Sequence, residues 1–242
     1  MLSIIIPTLN EEKYLPLLLK AIKKQNFNGD LEVIIADAGS TDNTVEIAKN
    51  FGCKITKGGL PAKGRNEGAK IAKGDIFLFL DADNIFLPQN FLENLLEEFE
   101  RRKLGVASFT IYPEGNMFDR LVFRISYFWI NLIQNFLPHA FNSILVKRKI
   151  HEIIEGFDEE IKMAEDHAYA RAASKFAKFG FIKTEPVLTS CRRFERDGRL
   201  KTYLRYFLAG VHMLFLGNIK SDIFKYRFPH QPTRKKPKRF KK

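Results

Sequence analysis

Leu2-Ser3-Ile4-Ile5-Ile6-Pro7, Leu31 to Ala36 and Asp75 to Leu80 are apolar almost without interruption. A strand with one wet face alternates apolar and polar side chains, whereas a strand covered on both faces does not. These runs therefore predict buried strands, the first rich in β-branched residues and stopped by Pro7. Cys53 to Thr56 reads as a further short strand. Between the runs lie segments of helical character: Glu11 to Gln25, with Leu15, Leu18, Leu19 and Ile22 at helical spacing; Ser40 to about Phe51, closed by Gly52; Gly64 to Lys73; and Phe91 to Lys103. Strands alternating with helices at this spacing predict βαβ units, an α/β fold with a mostly parallel sheet flanked by helices.

The run from Gly74 ends in Asp81-Ala82-Asp83. Ligands of open α/β sheets sit beyond the carboxyl ends of the strands, so this pair lies where a ligand would be. Residues i and i+2 of a strand share a face, so both carboxylates can converge on one cation. Hard oxygen donors suit Mg²⁺ or Mn²⁺, usually shared with a substrate phosphate. The alternative is an Asp-Ala-Asp turn that merely ends the strand.

The composition, 45% hydrophobic and 28% charged over 242 residues, is that of a globular chain long enough for a large core. The net charge of +12 is concentrated at the C-terminus, where Arg234 to Lys242 holds seven basic residues in nine. A charge placed so locally, with no recognition motif, argues against a nucleic-acid-binding protein. Cys53 and Cys191 give neither a disulfide framework nor metal-ligand spacing. Leu2 to Pro7 is too short for a secretory leader, so the expected location is cytoplasmic, with peripheral contact at the cytoplasmic membrane face left open. No G-x-G-x-x-G follows the first strand, and no Walker A motif occurs.

Beyond Val106 the pattern changes. Phe118 to Leu137 is aromatic-rich and helical, with Arg120, Arg124, Asn131 and Asn135 forming a narrow polar stripe. Tyr203 to Ile219 is a second apolar segment, interrupted by Arg205 and His212. A spanning helix needs about 20 apolar residues, so neither is a transmembrane candidate. Core packing, a dimer face and the membrane interface, with Trp129 at headgroup level, all stay open.

Four ordered blocks carry a resemblance: Ile4 to Glu12 (IIIPTLNEE), Val33 to Thr44 (VIIADAGSTDNT), Gly64 to Ala69 (GRNEGA) and Asp81-Ala82-Asp83. Together they resemble the family 2 glycosyltransferases, inverting enzymes of GT-A fold that use nucleotide-sugar donors. The resemblance spans about residues 1 to 195 and is strongest in the first 90. It implies a nucleotide-sugar-binding half (1–104) and an acceptor half (105–195), followed by an apolar helical appendage (196–230) and a basic tail (231–242). Thr8, Asn10 and Glu11 would line the nucleoside pocket, and Asp37 would read the uracil or guanine edge. Glu11 and Asp42 have alternative readings, as a helix-dipole acid and as a helix cap. Arg65, expected at a helix start, would meet phosphate, base or sugar, the alternative being a surface arginine. Asp83, with Asp81, would hold Mg²⁺ or Mn²⁺.

Ile154 to Glu159 and Met163 to Tyr169 resemble the acceptor loop and Glu-Asp pair of the family, which makes Asp166 the general-base candidate beside Glu165, with His167 structural. Ser190 to Arg199 packs four arginines into ten residues; Arg192 and Arg193 are the donor-diphosphate candidates. The acceptor would be a glycan or lipid-linked hydroxyl, and homo-oligomerisation is left open. Two departures matter. Asp83 is followed by Asn84-Ile85, not the Leu-Gln of polyprenyl-phosphate sugar synthases, and the Gln-x-x-Arg-Trp of processive synthases is missing. A metal-dependent nucleotidyltransferase is the alternative enzyme, although Pro-Thr-Leu-Asn-Glu-Glu stands where its Gly-rich loop would be.

Overall fold

β1 (Leu2–Thr8), the Ile-rich run, occupies the middle of a sheet in a computed structural model that describes residues 1–134, 136–140 and 143–224. It pairs in parallel with β2 (Leu31–Asp37) on one side and β4 (Ile76–Phe79) on the other, and β3 (Lys54–Lys57) extends the sheet in parallel beyond β2. Past β4 come β7 (Ile144–Lys147), β6 (Val106–Pro113), β8 (Phe179–Thr189) and β5 (Asn84–Phe86). β7 runs antiparallel to both neighbours, β6 and β8 are parallel, and β5 is antiparallel to β8. The parallel half is the expected βαβ array, and the change of direction comes at β7.

Both faces of the sheet are covered, as uninterrupted apolar strands require. Ile4 and Ile6 pack on α1 (Leu15–Lys23) and α4 (Phe91–Arg101) through Leu15, Leu18, Phe91 and Leu95. Ile5, one residue out of phase, joins Phe77 and Phe79 on the opposite face, under α3 (Pro61–Ile71), α6 (Arg148–Ile153) and α7 (Glu165–Ala173). α3 lies so close to β1 that a Cβ on Gly68 would stand 2.4 Å from Ile5 Cγ2, and one on Gly64 would stand 2.9 Å from Pro7 Cβ. α2 (Thr44–Asn50) completes the first half.

Several boundaries differ from expectation. α1 starts at Leu15, not Glu11, where Pro16 supplies the helix start and the chain from Asn10, in left-handed conformation, is still turning. α3 begins at Pro61 rather than Gly64 for the same reason. β4 stops at Phe79, so Asp81 and Asp83 stand in a turn ahead of β5 and do not face one way by strand alternation.

The two apolar segments are α5 (Met117–Ile133) and α9 (Arg199–Phe215), and α8 (Arg192–Asp197) runs across the boundary expected at 195. Among the described residues, no helix is long and apolar enough to cross a membrane. Asn135, residues 225–230 of the expected appendage and the whole basic tail lie outside the described residues.

Candidate active site

The parallel register sets Thr8 directly beside Asp37 at the carboxyl ends of β1 and β2. Asp37 Oδ2 accepts from Thr8 Oγ1 at 2.9 Å and from Ser40 Oγ, while Oδ1 accepts from the backbone N–H groups of Gly39 and Ser40 at 2.9 and 2.8 Å. The carboxylate thereby folds its own loop. Asn10 does the same across the gap: its Oδ1 accepts from Thr41 N at 2.8 Å, and its N–H donates to Ser40 Oγ. Asp42 accepts from the Thr44 backbone and hydroxyl at the start of α2, and these donors hold its carboxyl below the usual range despite its partial burial.

Arg65 is the hinge of the next layer. It sits in the middle of α3, not at a helix start, and it is 2% exposed, so it is neither a dipole-end arginine nor a surface one. One nitrogen donates to Asp81 Oδ1 at 2.7 Å and the other to Glu165 Oε1 at 2.8 Å. The guanidinium carbon lies over the Phe157 ring, 5.3 Å from its centroid. Burial raises the carboxyl pKa of Asp81, and the neighbouring Asp83 and Glu165 charges add to the effect; Arg65 pulls the other way, and the net result is about 6. The cluster is therefore richer in negative charge than its one buried guanidinium can balance. Asp166, next to Glu165 in the first turn of α7, is buried and close enough to Arg65 to act on it electrostatically.

α7 starts from Ala164, a non-glycine residue in left-handed conformation at φ 63°. That costs about 1 kcal/mol, and strain of this kind gathers at functional sites. Asp166 Oδ1 accepts from the His167 backbone N–H at 2.9 Å. The His167 ring is partly buried and stacks on His139 with centroids 3.6 Å apart; desolvation holds its pKa down to about 3, so the ring is neutral.

Asp83 occupies the other side of the cleft. Ser190 Oγ donates to it at 3.1 Å and Thr189 Oγ1 at 3.3 Å, and Arg192 Nε stands 3.3 Å from Oδ2. The Arg192 terminal nitrogens fork onto Glu11 at 2.8 and 2.6 Å, and the guanidinium lies 5.0 Å from the Tyr14 ring. Glu11 falls outside the first turn of α1, so its carboxylate serves this clamp rather than the helix dipole. Arg193 points elsewhere, donating to the Tyr206 hydroxyl at 3.0 Å, though its charge still acts on Asp81.

Thr8, Asn10, Asp37, Asp81 and Asp83 thus stand at the carboxyl edge of β2, β1 and β4, with Arg65 tied to Asp81 and Asp166 to Arg65 by charge and Glu11 joined to Asp83 through Arg192, while Arg193 turns to Tyr206. Sequence reasoning missed Glu165 as a partner of Arg65, Thr189 and Ser190 as partners of Asp83, and Tyr14 beneath Arg192. The Glu-Asp doublet was a signal for the first; the others depend on β8 and α8 arriving from over a hundred residues away and carry no local mark. Among the described residues, no three His, Cys, Asp or Glu side chains form a ready-made metal cage.

The chain is similar to known proteins in both sequence and fold. It is 28% identical over 186 residues to the poly(ribitol-phosphate) beta-N-acetylglucosaminyltransferase TarS of Staphylococcus aureus, covering 71% of this chain and 32% of that one. It is 33% identical over 121 residues to a 4,4'-diaponeurosporenoate glycosyltransferase of Staphylococcus haemolyticus, covering 46% and 32%. The chain therefore spans about a third of the length of these curated relatives. The crystal structure of S. aureus TarS 1-349 in complex with UDP-GlcNAc superposes with a TM-score of 0.63 at 22% identity, covering 78% of this chain and 58% of that one. The mannosyltransferase PcManGT of Pyrobaculum calidifontis, in complex with GDP-Man and Mn²⁺, gives 0.68 at 20% identity, covering 87% and 64%. These likenesses show the mixed α/β architecture of the GT-A glycosyltransferases. The family model described as glycosyl transferase family 2 matches residues 3–157, which hold the Thr8–Asp37 loop, Arg65 and the Asp81–Asp83 turn, and with that match over more than half its length the chain belongs to glycosyl transferase family 2.

Proposed function

We propose that the chain transfers a glycosyl group from a UDP- or GDP-sugar to an acceptor hydroxyl with inversion at the anomeric carbon. The observation that carries this reading is the gathering of Asp81, Glu165 and Asp166 around buried Arg65 at the carboxyl edge of the sheet, with Asp83 close enough to act on Asp81. Family membership and the donors named for TarS and PcManGT support it. The acceptor is a hydroxyl on a glycan or lipid-linked glycan, presented near a membrane face.

In this reading the nucleoside sits over the Thr8, Asn10 and Asp37 loop, and the diphosphate extends toward Arg192 and Arg193. Asp83 and Asp81 are hard oxygen donors whose surplus negative charge fits a divalent cation, Mg²⁺ or Mn²⁺. Two protein carboxylates suffice where water and phosphate complete the shell. When bound, such an ion offsets the charge that grows on the departing diphosphate. Asp166 accepts the acceptor proton as the acceptor oxygen bonds to the anomeric carbon and the carbon–diphosphate bond breaks. Arg65 holds Glu165, and with it the first turn of α7, which carries Asp166. The neutral His139–His167 stack walls that side and leaves the proton to the carboxylate.

The test combines ligand binding with turnover. UDP or GDP should raise the melting temperature only with Mn²⁺ or Mg²⁺ present, and Asp83→Ala should abolish that metal-dependent rise. Asp166→Asn should keep the rise and lose transfer by roughly 10²–10⁴-fold. Wild-type transfer by Asp166→Asn would remove the base assignment. Release of pyrophosphate in place of a nucleoside diphosphate would select nucleotidyl transfer.

A further inference from the structure

α5 and α9 each turn an apolar face away from the protein. On α5 the buried side is Asp119, Tyr127 and Ile130, while Met117, Leu121, Ile125, Phe128 and Leu132 are exposed on the opposite side, Phe128 at 66%. On α9 the buried side is Thr202, Ala209 and Met213, while Leu200, Leu204, Phe207, Val211 and Leu214 are exposed, Phe207 at 67%. Soluble helices bury such stripes; these two present them.

A clasp joins the helices near their N-terminal ends. Asp119, fully buried, accepts from Arg199 Nε at 2.9 Å and from the Tyr203 hydroxyl at 2.7 Å, and the Phe118 and Tyr203 rings lie edge to face at 5.9 Å.

The charge on these helices names the occupant. Each is 17 residues long, too short to span but long enough to lie along a surface. Arg120 and Arg124 edge the exposed apolar arc of α5, and Lys201 edges that of α9. Asp119 is the only acidic residue of α5, and it is inside the clasp; α9 has none. A second copy of the same face would set these cations against cations, with no helix carboxylate to receive them. Anionic headgroups receive them, and acyl chains receive the stripes. Trp129, also exposed, stands beside the stripe of α5.

We infer that the joined α5–α9 face is a docking surface for an anionic lipid bilayer, on which both helices lie in the interface with their apolar arcs inward. The inference needs neither donor nor metal, so it stands or falls apart from sugar transfer. The seven basic residues of 234–242 add long-range attraction to the same sign of surface.

Trp129 is the only tryptophan of the chain and serves as a native probe. The full chain is titrated with phosphatidylcholine vesicles with and without phosphatidylglycerol, following tryptophan emission and co-sedimentation. The expected result is a blue shift and pelleting with the anionic vesicles, persisting in part at high salt because burial of the stripes is not screened. Ile125→Glu with Phe207→Glu, both at exposed positions, should weaken vesicle binding at least tenfold while leaving the melting temperature and nucleotide-induced stabilisation intact. Deletion of 234–242 should reduce binding but leave the blue shift. Binding that survives the double variant, or that vanishes entirely with the tail, overturns the inference. So does a lipid-free dimer that shows the blue shift and ignores vesicles.

Discussion

β1 and β2 carry a hydroxyl–carboxylate pair at each end, and the carboxylates gathered at those two ends live in opposite conditions. At the amino edge, Ser3 Oγ donates to Glu32 at 2.6 Å, and Lys54 and the backbone N–H groups of Lys73 and Gly74 fill the remaining positions. Burial alone would raise the Glu32 pKa, but the donors win and hold it down to about 2. At the carboxyl edge, Asp81 shares one guanidinium with Glu165 and faces Asp83, and its pKa rises to about 6. The first cluster is saturated with donors and finished without a ligand. The second holds more carboxylate than its paired guanidinium neutralises, and on the transferase reading a divalent ion would make up the difference. In this sheet, an excess of carboxylate over donor separates a candidate site from a structural clamp more cleanly than burial does, since both carboxylates are largely enclosed.

The comparison breaks most visibly at Arg65. Arg65→Leu leaves Asp81 and Glu165 facing each other without their shared partner, and removing one side of a buried ion pair costs about 3–5 kcal/mol. Urea unfolding should show that loss. Arg65→Lys should restore only part of it, because one ammonium lacks the planar fork that reaches both carboxylates.

Glu32→Ala tests the saturated end. Stranding Ser3 and the two backbone donors should cost on the order of 3 kcal/mol, with donor binding per folded molecule unchanged. Asp81→Asn should do the reverse: stability at pH 7 equal to or above wild type, with metal-dependent nucleotide affinity down at least tenfold.

A pH titration sharpens the contrast because the signs oppose. Glu32 has a folded pKa depressed from 4.5 to about 2, so its contribution is complete above about 4.5 and fades as pH falls toward about 2. Asp81 has a folded pKa raised from 3.8 to about 6, so its protonated form favours the fold below about 3.8 and that contribution is lost as pH rises through about 6. Ligand-free wild type should lose roughly 2 kcal/mol relative to Asp81→Asn between pH 4 and 7, a figure reduced for the partial exposure of Asp81. Metal-dependent nucleotide binding should weaken as pH falls below about 6.

The smallest effect expected is that of Gly68→Ala. Its methyl would meet Ile5 at 2.4 Å and should cost about 1 kcal/mol, lifting α3 and drawing Arg65 back from Asp81 with a loss of nucleotide affinity.

The parallel half was legible because unbroken apolar runs have few other uses, and Ile4, Ile5 and Ile6 do fall on alternate covered faces. The antiparallel entry of β7 and β5 was not, since four-residue and three-residue strands leave almost no periodicity to read. Asp37, Asp81 and Asp83 could be placed at the sheet edge from strand ends alone, whereas the depth of Arg65 depends on how closely α3 approaches β1. The polar stripe on Phe118 to Leu137 was visible as a pattern, but a helical period says only that two faces differ. Docking against β6 and β8, through Tyr127 and Phe181, decides which one turns outward.

Arg192 ties Glu11 to Asp83, so the carboxylate already has a counter-ion within the chain. On the transferase reading, a cation that takes Asp83 takes it from a tethered guanidinium, so loading is an ion exchange rather than the filling of a void. A divalent ion held by Asp83 would replace one internal charge with two, and a diphosphate bound beside it would offer Arg192 a new anion. Such a cleft would select by competition against its own counter-ion, favouring a divalent ion that arrives with a diphosphate over a monovalent salt.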